Sequence, residues 1–180
     1  AEEKLSSALS EIEKGERKIA SAKKTYSDGL KKYKDGLSLY EKSYAEFYAA
    51  KTSTLEKLEA LTATYESEKA KYDAAVVSYN SSKASLAELL EYTEALEKAG
   101  APEAAAYRAE YEKQKASLDA FGAQLSAAEQ GLSEMKKGID GGYAELAAAE
   151  KKLDAAKKEL DSSLIKLKSA KKDIAKGEND

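Results

Sequence analysis

The side chains that most often carry covalent or acid–base chemistry are missing from this sequence. It contains no histidine and no cysteine, which removes imidazole bases, thiol nucleophiles and ordinary zinc sites. Ser-x-x-Lys spacings remain, among them Ser21 to Lys24 and Ser169 to Lys172. In β-lactamase-type sites that spacing sets a lysine one helical turn from a nucleophilic serine. The companion motifs of such sites are absent here, and a chain this rich in Ser and Lys produces the spacing by chance. Asn80-Ser81-Ser82 matches a glycosylation acceptor but reads better as a polar cluster that interrupts a helix. The carboxylates show no calcium-loop spacing, and no phosphate-cradling glycine loop is present. The expectation is a non-enzyme with no catalytic residue, no metal site and no cofactor.

Tyrosine is the remaining candidate. Stacked tyrosines bind sugars or bases, and this chain has twelve. Tyr26, Tyr33 and Tyr40, and again Tyr65, Tyr72 and Tyr79, recur every seven residues, which is the spacing of a helical seam and favours packing over binding. Tyr44, Tyr48 and Tyr92 lie off that column and are better contact residues, since tyrosine is enriched in binding surfaces.

These tyrosines belong to two long ladders. Leu5, Ile12, Ile19, Tyr26, Tyr33, Tyr40 and Phe47 form one without a gap, and the column three residues on is small: Ala8, Gly15, Ala22, Gly29, Gly36, Ser43, Ala50. From Leu118 to Ile174 a large aliphatic residue again recurs every seven positions, followed after three by mostly small residues such as Gly142, Ala149, Ala156 and Ala170. Both columns fall on one helical face, the a/d seam of a coiled coil. Alternating large and small knobs let the helices approach closely, with a ring of one arm over the small column of the other. Leu9, Leu30, Leu37 and Tyr44 widen the first stripe on one flank.

After Phe47 the ladder resumes as Leu58, Tyr65, Tyr72, Tyr79 and Leu86, displaced by four residues. Such a slip is a stutter that locally unwinds a supercoil, and continuation of the helix through 51–54 is favoured over a break. Asn80-Ser81-Ser82 is a second candidate break. Gly138 to Gly142 is the candidate kink of the second arm. Asp28-Gly29 and Asp35-Gly36 resemble hairpin turns but sit within helical periods, so they are read as seam positions.

One interruption is plain. Glu97-Lys98-Ala99-Gly100-Ala101-Pro102-Glu103 holds the only proline; Gly100 suits the left-handed residue past a helix end and Pro102 the first turn of the next helix. The expected fold is all-α: one helical module over 1–180, a long antiparallel coiled-coil hairpin. Residues 1–98 form the ascending helix, 99–102 the turn and 103–177 the descending helix. The arms differ by roughly 35 Å at 1.5 Å per residue. Either the N-terminal end overhangs, or part of 51–98 folds back as an extra short helix near the tip.

Composition agrees with a thin seam. Hydrophobic residues make up 42%, much of it alanine, with two Phe and no Trp. Acidic and basic residues nearly cancel at a net −3 and interleave throughout, which argues for solvated helix exteriors and against nucleic acid as a partner. No apolar run approaches the ~20 residues of a membrane span. The chain opens at Ala1-Glu2-Glu3-Lys4 without Met or a signal peptide, as a processed product or excised fragment would.

Tyr26 to Leu37 reads Y-S-D-G-L-K-K-Y-K-D-G-L, and Leu146 to Leu160 reads L-A-A-A-E-K-K-L-D-A-A-K-K-E-L. Together they resemble the extracellular coiled-coil insert of bacterial FtsX-like (MacB-type) ABC-transporter permeases, with the YhgE/Pip-type membrane proteins as a second resemblance. The resemblance covers both arms but not 51–117, and neither a transmembrane helix nor a permease core is present, so it implies a module and not a transporter. It implies an extracellular location on a bacterial membrane, reached through flanking segments, and a protein partner or transported substrate at the tip. The residues to carry that contact would be Tyr92, Glu97, Lys98, Glu103 and Tyr107. A homo-oligomer is compatible with this. The alternatives are a structural or secretion-associated surface coiled coil of the phage-receptor type, which would oligomerise or assemble end to end, and the hairpin of a periplasmic efflux adaptor.

Overall fold

The computed structural model describes residues 2–179. The fold is an all-α helical hairpin of two long helices packed against each other, α1 over Glu2–Lys98 and α2 over Ala104–Gly177. The second helix begins one residue later than the sequence suggests, because Pro102 and Glu103 belong to the turn. No strand and no third helix occurs among the described residues, so the fold-back near the tip is not adopted. Helix α1 runs unbroken through both 51–54 and Asn80-Ser81-Ser82. Hydroxyls that compete with the helix backbone are absorbed locally: Thr62, Ser78 and Thr93 each donate to the carbonyl four residues back, the satisfied mid-helix arrangement. Helix α2 likewise continues through Gly138 to Gly142.

Two compact units divide the chain, one comprising 1–53 with 145–180 and the other 54–144. In the first unit large residues lie over small ones across the helices. A Cβ built on Gly29 would sit 3.1 Å from a Leu167 methyl, and one on Gly36 3.2 Å from Leu160. At the end of α2, Gly177 faces Ile19. The carbonyls of Ile174, Ala175 and Lys176 are taken up by Glu178 and Asn179, which closes the helix there. The ladder of α1 runs on past that point with nothing beside it: Leu5, Leu9 and Ile12 are 65%, 55% and 59% exposed. The length mismatch is therefore met by an N-terminal overhang.

The second unit uses the same rule in a different register. Tyr79 packs its ring on Gly122 and edge-on to Phe121, with centroids 5.8 Å apart. Leu58 covers Gly142. Carrying the register of Gly29 on Leu167 forward would set Leu58 against Gly138; its neighbour is Gly142, four residues on, and a Cβ on Gly138 would meet no side chain within 4 Å. The four residues inserted in the ladder of α1 have no counterpart in α2, and the pairing shifts by that amount.

Leu58 and Ile139 are the only buried hydrophobic residues among those described, and Thr93 the only buried polar one. A seam this thin makes each close approach count. A Cβ on Gly142 would meet the Leu58 Cδ2, Cδ1 and Cγ at 2.5, 3.3 and 3.4 Å, so rotating one methyl does not clear it. Gly138→Ala should raise stability by about 0.5–1 kcal/mol through helix propensity alone. Gly142→Ala should lose that gain and fall below the parent, because Leu58 must back out. Thermal unfolding of the two variants side by side checks this; equal stabilisation would contradict the packing.

Candidate functional site

The reversal of the chain assembles most of the polar and aromatic residues singled out above. Gly100 adopts a positive φ of 66°. Its N–H bonds the Glu97 carbonyl at 3.1 Å while Ala101 N–H reaches back to Leu96 at 3.0 Å, the paired bonds of a Schellman cap. Ala104 and Ala106 then donate to the carbonyls of Ala101 and Glu103, so the backbone groups freed by Pro102 find partners within the turn.

Side chains lock this cap. Arg108 presents Nε and a terminal nitrogen to the two oxygens of Glu97 at 2.9 and 2.6 Å, a bidentate fork. Its guanidinium also lies 5.6 Å from the Tyr111 ring centroid. The Arg108 hydrogen bonds hold the Glu97 carboxyl below the usual carboxylate range, and Glu97 in turn raises Arg108. Tyr92 and Tyr107 meet edge to face at 5.0 Å and 77°. Both stay open to solvent, Tyr92 at 50% and Tyr107 at 37%. The Tyr107 phenol pushes the Tyr92 hydroxyl up, with desolvation adding to it. Thr93, next to Tyr92 in the chain, is fully buried and donates to the Leu89 carbonyl at 2.7 Å.

Of the five residues expected at the tip, the structure therefore brings Tyr92 and Tyr107 together and pairs Glu97 with a residue not foreseen, Arg108. Lys98 and Glu103 are exposed and make no side-chain hydrogen bond or ion pair among the described residues; the Glu103 charge adds to the rise at Tyr92. Arg108 lies outside the apolar ladder that marks the seam, and its only signal in the sequence is that it is one of two arginines in the chain. Thr93 had a signal: it stands seven residues after Leu86.

A second cluster lies in the first unit. Tyr44 and Tyr48 stack one turn apart, their centroids 4.4 Å from each other and each ring 44% exposed. Lys51 lies 5.4 Å from the Tyr48 centroid and 5.8 Å from that of Phe47, and forms a short ion pair with Glu150 of α2. That hydrogen bond to Glu150 raises the Lys51 pKa. Neither cluster holds a nucleophile–base pair. No group of three or more acidic side chains among the described residues is placed to hold a metal ion, and no helix is long and apolar enough to cross a membrane. Comparison with protein families, with curated proteins and with solved structures finds no match.

The depressed Glu97 pKa fixes the sign of a pH effect. The fork stabilises the turn above the unfolded carboxylate value of about 4.3, and this contribution is lost as pH falls through the lower folded value. Hydrogen exchange of amides between 96 and 108 should accelerate as pH falls below about 4, relative to the intrinsic rate. Glu97→Gln should show the faster relative exchange already at neutral pH and little further change on acidification. A parent chain whose turn protection is flat across that window would contradict the fork.

Proposed function

We propose that the chain is a non-enzymatic coiled-coil stalk that carries a contact surface at its turn, and that in its parent it serves as an extracellular insert of a bacterial membrane permease, engaging a protein partner or transported substrate. The observation that supports this most is the Tyr92–Tyr107 pair. Two aromatic rings are left half in solvent at the one reversal of the chain, where a cap and a bidentate fork hold them in place. Rigid, partly exposed tyrosines give contact area at low entropic cost. Lys98 and Glu103 add exposed charges of both signs, neither held in an ion pair among the described residues. The first unit contains the ends of both arms, in keeping with a module whose chain enters and leaves on one side. The doubled Y-x-D-G-L phrasing of the first arm supports the permease context.

A photo-crosslinking side chain placed at Tyr92 or Tyr107 in the native cell should yield a discrete adduct, whereas the same group at exposed Leu39 should not. Tyr92→Ala with Tyr107→Ala should abolish binding of the captured partner and leave helicity unchanged. Adducts at Leu39 equal to those at the turn, or full binding by the double variant, would overturn the assignment of the turn.

A further inference from the structure

Charge nearly cancels over most of this chain but not at the turn. Residues 88–112 hold seven glutamates against Lys98 and Arg108, a net −5, while the whole chain carries −3. The remaining residues are therefore slightly basic, at +2. One of the two cations at the turn is already committed. Arg108 is forked onto Glu97 at 2.9 and 2.6 Å, and Glu112 and Glu94 add to the carboxylate field around it. Lys98 stands six residues after Tyr92, about 120° round the helix from it.

The exposed rings of Tyr92 and Tyr107 thus stand among acids. Positions three and four residues from each ring lie beside it on the helix. The charged residues at those positions are Glu88, Glu103 and Glu110, and none is basic. All three are exposed, and none enters an ion pair among the described residues. Glu103 is near enough to Tyr92 to act on its hydroxyl. Glu110 accepts a hydrogen bond at 2.8 Å from the neutral Gln114 amide, which leaves its charge in place.

Elsewhere the chain supplies a cation to such a set. Arg108 lies against the Tyr111 ring while it holds Glu97. Lys51 lies against Phe47 and Tyr48 while it holds Glu150. Among the described residues only these two cations lie over an aromatic ring. At Tyr92 and Tyr107 the rings and carboxylates are in place, and the chain brings no cation to them.

We propose that this surface takes a basic polypeptide segment of the partner, with an arginine against the Tyr92–Tyr107 pair and Glu88, Glu103 and Glu110 holding its charge. Arginine suits the surface better than lysine, because a planar guanidinium stacks on a ring and forks onto a carboxylate at once. Such recognition presupposes that the turn is a contact surface, and adds the chemical class of what it contacts. Charge opposes the other occupants. Nucleic acid, an anionic membrane surface or the same face of a second copy would each bring negative charge to these glutamates.

Titration of the full 180-residue chain with a hexa-arginine peptide, followed by amide chemical shifts, tests the assignment. Shifts should be confined to residues 88–112, with hexa-lysine bound at least threefold more weakly and hexa-glutamate not at all. Affinity for hexa-arginine should fall at least tenfold between low and high salt. Tyr92→Leu with Tyr107→Leu, which keeps an apolar surface, should erase the preference for arginine over lysine. Glu88→Gln, Glu103→Gln and Glu110→Gln together should weaken hexa-arginine binding about tenfold or more. Asp154→Asn with Asp161→Asn, both exposed on the second arm, should leave it unchanged. Shifts spread over both arms, equal binding of arginine and lysine by the parent chain, or full affinity in the triple variant would each overturn the proposal. Crosslinking at Tyr92 and Tyr107 separates the two levels. An adduct through an acidic or apolar segment overturns the basic class and leaves the turn a contact site. No adduct at either position removes the contact site itself, whatever the peptides do.

Discussion

Two helices with hardly any buried side chains stay together by approaching closely, and close approach depends on keeping large residues over small ones. Leu167 on Gly29, Leu160 on Gly36, Tyr79 on Gly122 and Leu58 on Gly142 are four instances of one constraint. Each pays the helix-propensity cost of a glycine, about 1 kcal/mol, for contact that a bulkier residue would prevent. Sliding one helix by a few residues would place large side chains on large ones at every level. Register is thus the property that the rest of the molecule depends on, from the level of the overhang to the residues that meet at the turn.

Polar residues at seam positions reinforce that register. Lys51 stands seven residues before Leu58, where the ladder elsewhere carries Leu or Tyr, and it reaches Glu150 on the facing helix. Thr93 continues the same column after Leu86 and is the most buried side chain of the described residues. A single polar residue in an otherwise apolar column favours one alignment at some cost in stability. Most of the remaining ion pairs are exposed neighbours three or four residues apart, such as Lys69 with Asp73 and Lys136 with Asp140. Pairs of that kind contribute a few tenths of a kcal/mol to a helix and nothing to alignment.

Much of this was legible before any coordinates, because a heptad is a local pattern with a long-range consequence. The ladders from Leu5 to Phe47 and from Leu118 to Ile174 imply the hairpin, and Gly100 with Pro102 marks the turn. The slip after Phe47 is visible as a displaced column. Its effect, a four-residue change in which glycine Leu58 meets, appears only when both helices are seen together. Asn80-Ser81-Ser82 misleads because propensity is a weak prior beside the packing that holds a helix of ninety-seven residues. At the turn, Tyr92 and Tyr107 could be named from their places in the chain. The fork between Glu97 and Arg108 was hidden, since eleven residues of separation across a turn follow no period. The overhang was one of two ways to resolve unequal arms, and sequence alone did not choose between them.

The distances between spin labels within the second unit test the register most directly. Ser67, Ala127 and Glu134 are all exposed and occupy the same outward heptad position, so labels there compare only displacement along the helices. With Leu58 on Gly142 and Tyr79 on Gly122, the Ser67–Glu134 distance should be clearly shorter than Ser67–Ala127. The reverse order would mean that the pairing of the first unit continues without its four-residue step, and the account of how this seam is aligned would fail.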